Sequence, residues 1–211
     1  MKNPVIIIGA GGHANVLIDA LKLSVSEIIG IVDADPNKKD SLILGVPVIG
    51  DDETVLSYNN ESIELVNAIG SVSKPLARKT VFERFKKLGY SFASVIHPSA
   101  VISPYAELAE GAQVMAGAVI QPGCHIGENV IVNTRSSLDH DCHIGEHSHI
   151  APGVTLSGGV IVGESTHIGT GAIVIQGIEI ARNCMIAAGA VVIRNMNEGD
   201  SVMGLPARIR R

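Results

Sequence analysis

A period of six residues runs through nearly half of this chain. Residues 95–196 divide without insertion into seventeen consecutive hexads, and the second residue of every hexad is Ile, Leu or Val. Chance does not produce such a run, so the repeat predicts one structural unit that stacks on itself. The seventeen second-position residues are Ile96, Ile102, Leu108, Val114, Ile120, Ile126, Val132, Leu138, Ile144, Ile150, Leu156, Val162, Ile168, Val174, Ile180, Ile186 and Val192.

The other positions of the hexad predict how the unit is built. Small residues dominate the sixth position, and Gly, Asn and Pro cluster at positions three to five. One aliphatic side chain per hexad would fill the interior of a prism, and the glycines would turn its corners. Three hexads would complete a coil, and successive coils would pair as parallel strands about 4.8 Å apart. We therefore predict a parallel β-helix of between five and six coils.

The bulk composition agrees with a narrow β architecture and excludes several classes of protein. Aromatic residues make up only 3% of the chain, and Trp is absent, so Val, Ile, Leu and Ala must fill the core. The net charge of −5 and the absence of a long basic run argue against nucleic-acid binding. Three cysteines do not suggest a disulfide framework, and no apolar run approaches the ~18 residues of a membrane span. We expect a soluble, cytoplasmic protein.

The segment before the repeats has a different pattern. Apolar runs at residues 5–8, 28–32 and 63–69 predict strands, and residues 15–23 and 75–87 predict helices. Alternating strands and helices indicate a small parallel sheet with helices on its faces. We place a Rossmann-like α/β domain at residues 1–92 and the β-helix, with a short C-terminal tail, at 93–211.

A glycine-rich loop follows the first predicted strand. Gly9, Gly11 and Ala14 have the spacing of the dinucleotide-binding fingerprint, and Asp33 ends the second strand. The second βαβ half of a full dinucleotide fold is missing, which disfavours NAD. A nucleoside diphosphate fits better, with Asp33 as a candidate contact for the ribose or the base. The alternative is a tight turn that binds nothing.

Motifs spread over nearly the whole chain resemble those of the hexapeptide-repeat sugar O/N-acetyltransferases. This family includes sialic acid O-acetyltransferase and the enzymes that acetylate the 4-amino group of UDP-4-amino-4,6-dideoxy sugars, as in bacillosamine synthesis. The resemblance implies a left-handed β-helix, acetyl-CoA as co-substrate, and a homotrimer with its active sites between subunits. The motifs that carry it lie at residues 9–13, 68–70, 96–100, 132–134, 139–145 and 204–208.

The same resemblance implies roles for individual residues. His140 matches the general base, and Asp141 matches the acidic neighbour that orients it, with Asp139 as the alternative orienting group. His149 matches a contact to the acetyl carbonyl region, and Gly158 offers a backbone amide to CoA or to the developing oxyanion. The remaining expected contacts are Thr170 and Ala188 for acetyl-CoA, Gly11, Gly12, His13, Asp33 and Gly70 for the nucleotide, and Asn133 for the sugar.

The chemistry of acyl transfer supports the histidine independently. Attack on a thioester needs an unprotonated nucleophile, a base to take its proton, and donors aimed at the oxyanion. His140 lies at position four of its hexad, at a corner that points out of the prism, between two aspartates. The leading hypothesis is direct acetyl transfer to a UDP-4-amino-4,6-dideoxy sugar in bacterial surface glycan biosynthesis. The alternatives are O-acetylation of sialic acid or another sugar, and a trimeric scaffold that senses a nucleotide.

Four other histidines and three cysteines need a separate interpretation. His125 and His143 are eighteen residues apart, as are His149 and His167, so each pair should stack on adjacent coils. This fold also resembles the γ-class carbonic anhydrases, which carry zinc between subunits. Because these histidines occupy the outward-facing first position, we instead expect a solvated ladder and no metal. The cysteines share the small sixth position and are predicted to pack in the wall: Cys124, Cys142 and Cys184.

Overall fold

The computed structural model describes residues 3–24, 26–71 and 76–209. Its front part is a five-stranded sheet of order β3-β4-β2-β1-β5, parallel except for the β3–β4 hairpin. Strand β1, which lies between β2 and β5, is fully buried, as its continuous apolar run predicts for a strand covered on both faces. The strands are β1 (Val5–Ile8), β2 (Ile28–Val32), β3 (Leu42–Ile43), β4 (Val46–Gly50) and β5 (Glu64–Asn67).

The helices of the front part confirm the predicted alternation. Helix α1 (Gly12–Leu23) follows the glycine loop, and helix α2 (Leu76–Lys87) follows the last strand of this sheet. Pro75, the predicted first residue of the second helix, lies outside the described residues. Two short 3₁₀ helices, Pro36–Lys38 and Asp52–Ser57, and the β3–β4 hairpin were not predicted from the sequence.

Each of the seventeen hexads forms one two-residue strand, and these strands are β6 to β22. They form three parallel sheets, and each strand pairs with the strand eighteen residues later, as in His125 with His143. Sheet I contains β6 (Val95–Ile96), β9 (Gln113–Val114), β12 (Ile131–Val132), β15 (His149–Ile150), β18 (His167–Ile168) and β21 (Met185–Ile186), and continues into β23 (Ser201–Met203) and β24 (Arg208–Ile209). Sheet II contains β7 (Val101–Ile102), β10 (Val119–Ile120), β13 (Ser137–Leu138), β16 (Thr155–Leu156), β19 (Ile173–Val174) and β22 (Val191–Val192). Sheet III contains β8 (Glu107–Leu108), β11 (His125–Ile126), β14 (His143–Ile144), β17 (Ile161–Val162) and β20 (Glu179–Ile180).

The interior of the β-helix is filled as the hexads predict, except at its first coil. From Val114 to Val192 every second-position aliphatic is buried, and the three cysteines are free and buried beside them. Ile96 is 41% exposed because the first coil has no coil before it to cover its end. The fifth residue of fourteen consecutive hexads, from Gly111 to Gly189, has a positive φ and turns a corner. Asp141 is one of these residues, with φ 59°.

The front part packs on the outer surface of sheet I. Val95 and Met115 of the β-helix are buried in the same apolar cluster as helix α1 and strands β1 and β2. This contact corrects one expectation: His149 and His167 are buried rather than solvated, with exposures of 7% and 8%. The other predicted ladder is confirmed on the exposed sheet III, where the rings of His125 and His143 stack 4.5 Å apart.

Among the described residues, no helix has both the length and the apolar character needed to cross a membrane.

Candidate active site

The predicted base lies at the corner between sheets II and III. His140 is more than half exposed, and Gly158 occupies the equivalent position eighteen residues later, on the next coil. A Cβ atom placed on Gly158 would lie within 3.0 Å of Nε2, Cε1 and Cδ2 of His140. The imidazole ring therefore rests on the backbone of Gly158, in space that only a glycine leaves open.

The two aspartates beside His140 have different contacts. Oδ2 of Asp141 lies 2.8 Å from the ring nitrogen Nδ1, whereas Oδ1 of Asp139 accepts the backbone N–H of His140 at 2.7 Å. Asp141 thus contacts the ring of His140, whereas Asp139 contacts the backbone of His140 and stabilises the turn at this corner. A hydrogen on Nδ1 donated to Asp141 leaves the lone pair of Nε2 free to accept a proton. This hydrogen bond is also the main cause that raises the pKa of His140 above its usual value.

Replacing Gly158 with alanine should disturb the ring without disturbing the fold. The Cβ of the alanine would overlap the imidazole, so His140 must leave its position over the backbone. We expect kcat/KM to fall roughly 10- to 100-fold, because displacements of about 1 Å have effects of this size, with the melting temperature little changed. Steady-state kinetics and thermal melting of the variant would check this, and wild-type kcat/KM would contradict the placement of the ring.

The predicted nucleotide contacts gather at the carboxyl ends of β1 and β5. Gly11 and Gly12 are exposed, and a Cβ atom on either would meet no atom within 4 Å, so the loop forms an open cradle. Gly70 lies across from this loop, where a Cβ would be 3.8 Å from the Cβ of His13. Gly11, Gly12, His13 and Gly70 are therefore neighbours, as a common ligand site requires.

Asp33 has a contact that the sequence did not predict. Its Oδ2 accepts the backbone N–H of Ala10 at 2.6 Å and a hydrogen bond from Lys38 at 3.0 Å. Its Oδ1 accepts the N–H of Asp35 at 2.9 Å. Oδ2 therefore holds the glycine loop, and both oxygens hold the segment after β2. The contact of Asp33 with ribose or base stays a prediction.

A polar network joins the glycine loop at residues 9–13, the candidate nucleotide loop, to sheet I. Nε2 of His13 donates to Oε1 of Gln113 at 2.8 Å, and Nε2 of Gln113 donates to the carbonyl of Asn67 at 2.8 Å. Burial lowers the pKa of His13 to about 4, so this imidazole is neutral at physiological pH. Sequence reasoning missed Gln113 and Asn67; the available signal was a polar residue at the outward first position of a hexad and another at the end of an apolar strand.

His149 and Asn133 form a second part of this junction. Nδ1 of His149 donates to the carbonyl of Ser71 at 2.9 Å, and Nε2 accepts from Nδ2 of Asn133 at 3.1 Å. Burial lowers the pKa of His149 to about 3, so the ring is neutral. Both ring nitrogens are engaged within the chain, and the expected contact of His149 with an acetyl carbonyl stays a prediction.

The predicted residues therefore fall into separate places on one chain. Gly158 and the three residues 139–141 lie at the corner between sheets II and III, which is the corner opposite sheet I. The glycine loop belongs to the front domain and faces sheet I, which carries His149 and, at the end of β12, Asn133. Thr170 and Ala188 are exposed on successive coils at the corner between sheets I and II, the corner that also contains Asn133.

Two family models match the sequence. The model of the PglD N-terminal domain matches residues 4–85, and the model of the bacterial transferase hexapeptide, with six repeats, matches residues 123–158. A comparison with curated protein sequences finds no significant match.

Solved structures match the whole chain. A variant of perosamine N-acetyltransferase from Caulobacter crescentus, in complex with CoA and GDP-perosamine, is 39% identical; the match covers 100% of this chain and 98% of that chain with a TM-score of 0.92. The acetyltransferase domain of PglB from Neisseria gonorrhoeae, in complex with acetyl coenzyme A, is 34% identical, with 100% of both chains covered and a TM-score of 0.92. WeeI from Acinetobacter baumannii, 23% identical over 99% of this chain and 100% of that one with a TM-score of 0.81, shares the fold. The chain therefore belongs to the hexapeptide-repeat family of acetyl-CoA-dependent sugar N-acetyltransferases, with an α/β front domain and a left-handed parallel β-helix.

Proposed function

We propose that this enzyme transfers the acetyl group of acetyl-CoA directly to the 4-amino group of a nucleoside-diphosphate-linked 4-amino-4,6-dideoxy sugar. The observation that carries the proposal is the exposed His140 ring, fixed by Asp141 at Nδ1 and supported by Gly158, with Nε2 free. The reaction would take place in the cytoplasm and supply an acetylated sugar for bacterial surface glycans.

His140 acts as the general base in this mechanism. The amine nitrogen attacks the thioester carbon, and Nε2 of His140 takes the proton that the nitrogen loses as the N–C bond forms. The C–S bond then breaks, and the imidazolium returns the proton to the CoA thiolate. Asp141 holds the ring in the required tautomer and stabilises its charged form. The backbone amide of Gly158 is the proposed donor to CoA or the oxyanion.

The complete site forms where two copies of the chain meet in a homotrimer. The support is geometric: the His140 corner lies opposite sheet I, and sheet I is the surface that carries the front domain. One chain therefore does not bring its own nucleotide loop to its own His140. The corner of one copy and the nucleotide loop, His13 and Gly70 of the next would supply the two sides. Acetyl-CoA would lie along the β-helices between the two copies, near His149, Thr170 and Ala188.

The nucleotide can be decided by a direct assay. The sequence resemblance indicates UDP, whereas the Caulobacter enzyme was crystallised with GDP-perosamine, which favours GDP. The assay supplies acetyl-CoA with UDP- or GDP-linked 4-amino sugars and follows thiol release and the acetylated product by mass spectrometry. We expect N-acetylation with one nucleotide series at a kcat/KM roughly 100-fold above the other. Thiol release only with a hydroxyl acceptor such as sialic acid, or with no acceptor, would overturn the proposal.

The pH dependence should reveal the link between Asp141 and His140. The base must be neutral, and the hydrogen bond that His140 donates to Asp141 raises the pKa of His140, so wild-type kcat/KM should rise with pH through a value above the usual histidine pKa of about 6.5. Asp141→Asn should move this rise to lower pH and reduce the plateau rate. Asp139→Asn should shift it less, because Asp139 acts on the ring through charge alone. Measurements of kcat/KM from about pH 5.5 to 9 would check this. If kcat/KM rises at the same pH in wild type and in Asp141→Asn, the proposed link is contradicted.

A further inference from the structure

Arg78 is a deeply buried cation that the mechanism above does not use. It lies in the first turn of helix α2, and its relative exposure is 1%. Lysines and arginines are almost never buried to this degree unless they are paired with an acid. Among the described residues, Arg78 forms no ion pair with a carboxylate.

The hydrogen bonds of Arg78 are all to uncharged backbone acceptors. Nη1 donates to the carbonyls of Asn67 at 2.7 Å and Ile69 at 3.0 Å, and Nε donates to the carbonyl of Asn129 at 3.2 Å. Nη2 is buried without a partner in the part of the chain that is described. Burial lowers the pKa of this guanidinium to about 9, which still leaves it charged at physiological pH. The interior thus holds a positive charge that no carboxylate of the described residues pairs with.

One residue, Ile69, connects this charge to the glycine loop. Ile69, whose carbonyl accepts from Arg78, packs against Gly9: a Cβ on Gly9 would lie 3.3 Å from the nitrogen of Ile69. The next residue, Gly70, faces His13 across the open cradle. Burial is the main cause of the lowered pKa of His13, and the positive charge of Arg78 is the second cause. The field of Arg78 therefore reaches His13, which lies beside the open cradle.

We propose that Arg78 is a positioning residue whose buried charge is balanced by the diphosphate of the bound nucleotide sugar. Without touching the ligand, the guanidinium would raise the positive potential in the cradle, and the low dielectric around it would let that field act over several ångströms. It would also fix the end of β5, whose carbonyls it binds. This inference rests on the proposed nucleotide site and assigns it a source of phosphate affinity that the glycine loop alone does not supply.

The test compares Arg78→Gln and Arg78→Lys with Lys79→Gln. Lys79 is the next residue of the same helix, but its ammonium group is paired with Glu164 and Glu83. Lys79→Gln therefore also removes one positive charge, but this charge is already balanced by acids and is not buried in the interior. Calorimetry would measure the dissociation constants of UDP, GDP, the two nucleosides and CoA, and kinetics would measure KM and kcat for the nucleotide sugar. For Arg78→Gln we expect diphosphate affinity to fall about 10-fold or more and KM to rise in parallel. Binding of nucleoside and CoA, and kcat, should stay within about threefold.

The controls separate a charge effect from a structural one. Arg78→Lys should keep the preference for diphosphate over nucleoside within about threefold, and Lys79→Gln should resemble wild type. If Arg78→Gln does not fold, Arg78→Lys still tests the inference. Loss of the preference of this variant for diphosphate over nucleoside would overturn it. Equal weakening of nucleoside and diphosphate would also overturn it, because that result indicates a structural clamp. If wild type binds neither UDP nor GDP, the proposed function fails first, and this inference fails with it.

Discussion

Replacing His140 with alanine should lower kcat by about 10²- to 10⁴-fold, the usual contribution of a general base. The three atoms nearest to a Cβ on Gly158 all belong to the ring of His140, so this imidazole is the base that the corner supplies. The ring is more than half exposed and contributes little to the core, so the melting temperature and the affinity for CoA should change little. Steady-state kinetics with the best nucleotide sugar would measure the loss.

His125→Ala is the matched control for this variant. His125 is also about half exposed and also lies near an acid, with Nε2 3.4 Å from Oε2 of Glu107, but it is on sheet III away from the corner. Its loss should leave kcat within about threefold of wild type. Full turnover by His140→Ala, or an equal loss in both variants, would show that His140 is not the base.

Replacing Leu138 with alanine should lower the free energy of unfolding by about 2–5 kcal/mol. Leu138 is fully buried in sheet II, where it pairs with Ile120 on one side and Leu156 on the other. Removing three carbon atoms leaves a cavity in a stack that the rigid coils cannot close. Denaturant unfolding followed by circular dichroism would measure the change.

Leu138→Met keeps the volume and should cost less than about 1.5 kcal/mol. If both variants lose the same stability, the effect does not come from a cavity. A loss well below 1 kcal/mol for the alanine variant would contradict the tight packing of the β-helix interior.

The β-helix could be predicted from the sequence because the residues within each hexad determine its local structure. The aliphatic second residue and the turn-forming fifth residue act within a few positions of each other, and the same choice is repeated along the chain. Asp141 is the informative case: it occupies the fifth position, where Asp tolerates a positive φ, and it also contacts the ring of His140. Adjacent residues in a regular repeat therefore made this half of the site predictable.

The other half depends on contacts between distant segments, which no local pattern records. His149 and His167 have the outward position of a solvated ladder, but the front domain covers sheet I and buries them. Asp33 matches a ligand-binding position, yet its carboxylate holds the backbone of Ala10. No local pattern distinguishes Arg78 from a surface residue of a helix, and its burial results from the packing of α2 against both the end of β5 and the β-helix.

In the proposed trimer, the corner of one copy and the nucleotide loop of another form each active site. The most direct measurement is complementation between His140→Ala and Gly11→Leu, the latter chosen because its side chain would fill the open cradle. Each variant alone should be nearly inactive. Trimers assembled from equal amounts of both chains should regain roughly a quarter of wild-type activity, since about that share of sites would combine an intact corner with an intact loop. No recovery in mixed trimers would show that each chain forms its site alone and would contradict an active site shared between copies.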